Sequence, residues 1–183
     1  TSNKDIAVDL NKIFDFYDNN YKIPSFKKLL VAPFFMRKNF IELINNEIQF
    51  AKKKKTASIT LKMNSLVDKE MINKLYEASQ AGVKITLIIR GVCCLVTEME
   101  GWSDNIKVFS IVDKYLEHAR VFIFHNDGKE KIFISSGDWM TRNLDNRSEV
   151  AVPIYDEAIR KQIKDIINIQ LSGNTKVRII DRK

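Results

Sequence analysis

The chain has 183 residues, 45% hydrophobic and 29% charged, which suffices for one well-filled core and no more than one full domain. Thirty Lys plus Arg against 23 Asp plus Glu give a net charge of +7, which favours polyanionic partners, although a solvated basic surface is the commoner meaning of such an excess. No run approaches the roughly 20 apolar residues that span a bilayer, and the N-terminus does not read as a signal peptide. The abrupt start suggests a cut fragment.

In chain order, Ile6, Leu10, Ile13, Phe14 and Tyr17 recur at helical spacing and predict an amphipathic helix over 6–17, with residues 1–25 read as a lead-in from a preceding domain. A short extended run follows at 28–33. Phe40, Leu43, Ile44 and Ile48 then share one face of a helix over 36–51, and the four lysines at 52–55 suit the negative end of its dipole. Next come a β-rich run over 58–63, a helix over 66–80 stopped by Gly82, and an almost continuously apolar strand over 83–89. This is a βαβ unit with a right-handed crossover, and its second strand predicts a parallel sheet covered on both faces. Ligands of such sheets sit beyond the carboxyl ends of the strands, which points to residues 64–68 and to Arg90 and Gly91. Four further β-rich runs are predicted at 106–111, 119–124, 131–135 and 149–154, with H-N-D-G-K as a hairpin turn between the second and third. A helix over 156–171 and a last strand over 176–180 complete an α/β fold with a mixed sheet flanked by helices.

Cys93 and Cys94 are the only cysteines. Neighbouring cysteines rarely bridge, and no Cys or His companions stand at zinc-binding spacing, so they read as buried free thiols. No metal site is expected in these residues.

The richest stretch lies between 115 and 147. His118 precedes a strand and Arg120 stands two residues on, a spacing that puts both on one side of the sheet. A guanidinium grips phosphoryl oxygens in pairs, while an imidazole gains or loses a proton near neutral pH. Ser135 and Ser136 end the next strand, where hydroxyls can bind phosphate oxygens, and Asp138 follows as a group that orients an imidazole or an arginine. A serine-rich turn with a local Asp138 hydrogen bond is the plainer alternative. Arg142 and Arg147 extend the positive surface, with Asp145 or Glu149 as competing partners, and Arg90 has a surface ion pair as its own alternative. His125, inside the hairpin turn, is left out of the site.

At these residues the sequence resembles the polyphosphate kinases. The segments I-T-L-K-M-N-S-L-V-D-K, L-I-I-R-G-V-C-C-L, S-I-V-D-K-Y-L-E-H-A-R-V-F-I-F and I-S-S-G-D-W-M-T-R-N-L-D-N-R follow the order of that family's C-terminal region. The resemblance implies the second of two domains with the phospholipase D fold. The H-x-K and G-S-x-N signature of that fold becomes His118-Ala119-Arg120 and Ser135-Ser136-Gly137-Asp138, a departure from a phosphodiesterase. The resemblance also implies reversible, Mg2+-dependent transfer of the terminal phosphate of ATP onto inorganic polyphosphate through a phosphohistidine. Arg90 and His118 match positions that contact nucleotide phosphates, with His118 as catalytic proton donor or phosphate ligand, and Arg147 matches an arginine of the polyphosphate-facing site. The phosphorylated histidine, the Mg2+ ligands and the adenine-stacking groups are expected in a preceding domain, so these residues alone would be inactive. The implied partners are ATP, ADP, polyphosphate, the preceding domains and copies of the full-length protein, without nucleic acid. The implied location is the cytoplasm, with the inner-membrane surface as a peripheral alternative. Two other classes stay open: a dimerising phospholipase D-like phosphodiesterase or nuclease, and a polyanion-binding module without catalysis.

Overall fold

A computed structural model describes residues 3–112, 116–173 and 177–181. In order the elements are α1 (Lys4–Asp18), β1 (Leu30–Ala32), α2 (Met36–Lys52), β2 (Ser58–Met63), α3 (Lys69–Gln80), β3 (Lys84–Ile89), β4 (Ile106–Ile111), β5 (Arg120–Phe124), β6 (Lys131–Ser135), β7 (Glu149–Pro153), α4 (Glu157–Ser172) and β8 (Val177–Ile179). A short 3-10 turn, Asn126–Gly128, joins β5 to β6, and a π-helical turn, Arg142–Asn146, precedes β7. Tyr115, where the richest stretch begins, and Lys176, where the last strand was predicted to start, lie outside the described residues.

Eight strands form one mixed sheet in the order β1-β7-β6-β5-β2-β3-β4-β8. Strands β2, β3 and β4 run parallel and the other neighbours pair antiparallel, as the βαβ and hairpin patterns predict. Register then decides what meets at one edge. Met63 faces Ile89, Lys62 faces Val121, and Arg120 faces Ser135. The ends of β2, β3 and β6 and the starts of β5 and β7 therefore share that edge. Arg90, His118, Ser135 to Asp138 and Arg147 all attach to it.

Helices α2 and α3 bury one face of the sheet. Phe40 on α2 stands edge-on to Phe122 at 5.0 Å between ring centroids and packs on Phe124, Phe133 and Trp139, forming an aromatic centre that excludes water. Burial of large side chains of this kind supplies most of the favourable energy of such a core. The other face is covered more thinly by α4, which contributes buried Ile167 against Ile88, Val121 and Ile132. Helix α1 packs separately, with Ile6 and Ile13 against Leu29 and Val31. Its Asp9 is fully buried and accepts the backbone N–H groups of Lys27, Lys28 and Leu29 at 2.8, 2.6 and 3.1 Å. Burial alone would raise this carboxyl. The three amides and Lys12 outweigh it and hold Asp9 below its ordinary value.

Two expectations need correction. The helix predicted from residue 66 begins at Lys69, because Leu66 pairs in β-bridges with Cys93 and Trp139, while the Asp68 side chain caps the helix by accepting the Met71 N–H at 3.1 Å. Both cysteines are free, but Cys94 is exposed and only Cys93 packs against the core. Successive side chains of an extended segment point opposite ways, so only one of an adjacent pair turns inward. No helix is long and apolar enough to cross a membrane among the described residues.

Candidate phosphate site

Strands β2 and β3 end in register, and the next residue of each is a functional side chain. Asn64 follows Met63, and Arg90 follows Ile89. The Arg90 guanidinium places Nε 2.8 Å from Asn64 Oδ1 and turns Nη2 to the same oxygen. Nη2 also lies 3.4 Å from Nδ1 of the exposed His118. A guanidinium has donors only, so Nδ1 is the acceptor in this contact and Nε2 is left as the ring's donor. Among the described residues, neither Nη1 of Arg90 nor Nε2 of His118 meets a protein partner. Two N–H donors are thus left for a ligand.

A second layer holds this pair from behind. Asp138, buried, accepts Arg120 Nε at 3.0 Å and Arg120 Nη2 at 3.3 Å, and its Oδ1 also takes the Asn64 backbone N–H at 2.8 Å. Arg120 Nη1 donates to the His118 carbonyl at 3.0 Å. The two-residue spacing does not bring the His118 and Arg120 side chains together, in contrast to the sequence expectation. Strand β5 starts only at Arg120, so the alternation of sides does not extend back to His118. Arg120 is committed to Asp138 and to the main chain.

The serines are committed as well. Ser135 Oγ accepts the Gly137 N–H at 3.1 Å, closing the turn after β6. Ser136 Oγ donates to Glu149 Oε2 and accepts the Val150 N–H at 3.1 Å. Glu149 is buried and takes Asn143 Nδ2 on its other oxygen. A Cβ on Gly137 would fall 3.0 Å from Glu149 Cγ, so a larger residue there would force the buried Glu149 side chain to shift. Gly91 is just as crowded, with its missing Cβ 2.9 Å from the Asn64 carbonyl oxygen.

Arg142 and Arg147 are exposed, and the carboxylates that compete for them are engaged elsewhere. Asp145 pairs with Arg37, and Glu149 with Ser136 and Asn143. Arg147 stands on the same sheet edge as Arg90, but β7 is four strands from β3, roughly 19 Å at ordinary strand spacing. The structure thus joins Arg90 with His118, and Arg120 with Asp138, and sets Arg147 apart. His125 lies in the hairpin turn, where its N–H donates to the Ser58 carbonyl at 3.0 Å.

Sequence reasoning pointed to the segment 64–68 without giving Asn64 a role, and it missed Lys62. Asn64 holds Arg90. Lys62, buried on β2, donates to Glu117 and to Gln170 of α4, tying down the segment beside His118. The signal for Asn64 was available, since it and Arg90 stand one residue beyond matched strands. That for Lys62 was not, because its partners are 55 and 108 residues away. The recess lined by Lys62, Asn64, Arg90 and Glu117 has about 20 Å³, room for a single water, and His118 beside it is exposed. No group of three or more His, Cys, Asp or Glu placed to hold a metal occurs among the described residues.

Comparison with known proteins agrees with this architecture. The family described as polyphosphate kinase C-terminal domain 2 matches residues 29–183. The chain belongs to the polyphosphate kinase family. It is 49% identical over 183 residues to the polyphosphate kinase of Vibrio cholerae and 44% identical to that of Escherichia coli K12. All of the chain is covered, against 26% and 27% of those relatives, so it spans about a quarter of their length. Polyphosphate kinase from Porphyromonas gingivalis superposes with a TM-score of 0.95 at 49% identity, covering 99% of this chain and 28% of that one. Nuc from Salmonella typhimurium, a phospholipase D family member, superposes with a TM-score of 0.58 at 15% identity, covering 84% and 97%. At that identity the likeness shows a shared fold. The mixed sheet of this polyphosphate kinase domain is therefore of the phospholipase D type.

Proposed function

We propose that this chain supplies the nucleotide-side half of a site that reversibly transfers the terminal phosphoryl group of ATP to inorganic polyphosphate. The observation that carries the reading is the Arg90–His118 pair, with Nη1 and Nε2 both without a protein partner among the described residues, beyond the carboxyl ends of parallel strands. In such a transfer the bond from the γ-phosphorus to the β,γ-bridging oxygen breaks, a bond from the γ-phosphorus to the accepting nucleophile forms, and ADP leaves. Negative charge grows on that oxygen. Arg90 stabilises it with a fixed guanidinium, and His118 donates a hydrogen bond from Nε2.

The exposure of His118 supports a half-site, because phosphoryl transfer requires exclusion of water. The phosphorylated histidine and the Mg2+ ligands belong, in this reading, to other parts of the polyphosphate kinases, and Mg2+ supplies charge neutralisation when bound there. Arg147 contacts phosphates farther along the polyphosphate, consistent with its distance from Arg90. Arg120, Ser135, Ser136 and Asp138 support the site from behind.

The test is ATP-dependent polyphosphate formation by the full-length kinase carrying this domain. Arg90→Ala and His118→Ala are each expected to lower kcat by about 100-fold or more, in line with removal of a transition-state donor. Turnover within threefold of wild type in both variants would refute the assignment. Hydrolysis of a phosphodiester without ATP, by a sample that makes no polyphosphate, would favour the phosphodiesterase reading instead.

A further inference from the structure

The Arg90 side chain is gripped in an unusual way for a residue just beyond a strand end. Nε and Nη2 both address one oxygen, Asn64 Oδ1, which leaves the guanidinium plane fixed and Nη1 outermost. Asn64 is itself immobilised through its main chain. Its N–H goes to Asp138 Oδ1 at 2.8 Å, and its carbonyl accepts the Gly91 N–H at 2.8 Å, a contact so close that Gly91 has no room for a Cβ. Asp138 also holds Arg120, and Arg120 holds the His118 carbonyl at 3.0 Å. The chain of contacts closes on itself: Arg90, Asn64, Asp138, Arg120, His118 and back to Arg90.

We propose that Asn64 is the positioning residue of this site, setting the orientation of Arg90 and its separation from His118 through the Asp138–Arg120 arm. Three physical points lead there. An arginine free at a surface samples many rotamers, and ordering it on a ligand carries an entropic cost. Asn64 has ordered it beforehand. An amide oxygen accepts without neutralising, so Arg90 keeps its full charge for an anion, whereas a carboxylate in the same place would oppose the ligand. The fixed guanidinium also keeps a donor on His118 Nδ1, and so keeps the imidazole proton on Nε2, toward the ligand. Asn64 touches no reacting atom in this scheme and acts through Arg90 and His118.

The proposal rests on the reading of Arg90 and His118 as phosphate ligands, and the experiment separates the two. The probe is inorganic tripolyphosphate, titrated calorimetrically into this chain as wild type, Arg90→Ala, Asn64→Ala and Asn64→Asp. In parallel, nitrogen NMR reads the exchange of the Arg90 Nε–H and the tautomer of His118, which only His125 accompanies in the spectrum. Asn64→Ala is expected to weaken tripolyphosphate binding about 10-fold, speed exchange at Arg90 Nε, and give His118 a mixture of tautomers. Asn64→Asp keeps an acceptor for the guanidinium and is expected to restore slow exchange and the Nε2–H tautomer, although its charge repels the ligand. Loss of both signatures in Asn64→Asp would overturn the proposal even were the alanine variant too unstable to read. Wild-type binding and spectra in Asn64→Ala, beside lost binding in Arg90→Ala, would also overturn it. Unchanged binding in Arg90→Ala would instead overturn the phosphate site itself.

Discussion

Replacing Arg37 with alanine is expected to destabilise the domain by about 3–5 kcal/mol, the usual effect of stranding a buried carboxylate. Arg37 on α2 holds Asp68 through two bonds, Nη1 to Oδ1 at 2.5 Å and Nη2 to Oδ2 at 2.8 Å. It reaches Asp145 in the π-helical turn as well, at 3.0 Å from Nε and 2.7 Å from Nη2. One guanidinium thereby ties α2, the start of α3 and the turn before β7 together. Asp68 is 3% exposed, and without Arg37 it would keep only the Met71 N–H and the Thr141 hydroxyl. Burial pushes the Asp68 carboxyl upward, but Arg37, the Met71 amide and Thr141 outweigh it and hold the value below 3.8. An acid whose folded value is depressed adds stability above its unfolded value, and loses that stability as pH falls through the folded one. Urea unfolding of the wild type should therefore lose free energy below about pH 4, and Arg37→Ala should show a smaller loss over the same range. Stability within 1 kcal/mol of wild type at neutral pH would show that the cluster matters little.

Asp138→Ala is the second large effect. Arg120 has 12% of its side chain exposed and Asp138 6%, so truncation leaves a nearly buried guanidinium without its carboxylate. The same change removes the acceptor of the Asn64 N–H and slackens the arm that reaches the His118 carbonyl. A loss of about 3–5 kcal/mol is expected, with weakened binding of tripolyphosphate at temperatures where the variant remains folded. Asp138→Asn keeps one acceptor oxygen and should lose less than half as much. Thermal melting together with calorimetry checks both. A melting temperature equal to wild type in Asp138→Ala would mean that the ion pair is dispensable.

The sheet was largely legible in the sequence because its strands are short apolar runs bounded by clear stops. β2, β4 and β6 occupy the residues predicted, and the βαβ unit correctly implied parallel pairing of β2 with β3. Local spacing failed where the backbone leaves regular structure. Leu66 to Asp68 carry a helical pattern but are drawn into bridges and a cap, and the Arg142–Asn146 turn shows no periodic signal. At the site, Arg90 and His118 could be found because each adjoins a strand end, and strand ends of neighbouring strands meet. The direction of His118 relative to Arg120 could not, since alternation holds only within a strand and β5 begins at Arg120. Nor could the fate of Asp145, a natural local partner for Arg142 or Arg147, because its actual partner lies 108 residues away on α2. Charge was the least informative feature: the excess of +7 names a class of ligand and no position.

The most direct test of the account is calorimetric titration of inorganic polyphosphate into this chain at low and moderate salt, comparing wild type with Arg90→Ala, His118→Ala and Arg142→Ala. Arg142 is an exposed cation outside the pair, so its loss reports the effect of charge alone. The account predicts at least 10-fold weaker binding for Arg90→Ala and His118→Ala, with Arg142→Ala within threefold of wild type. Equal weakening by all three, growing steadily with salt, would contradict it and leave only a basic surface.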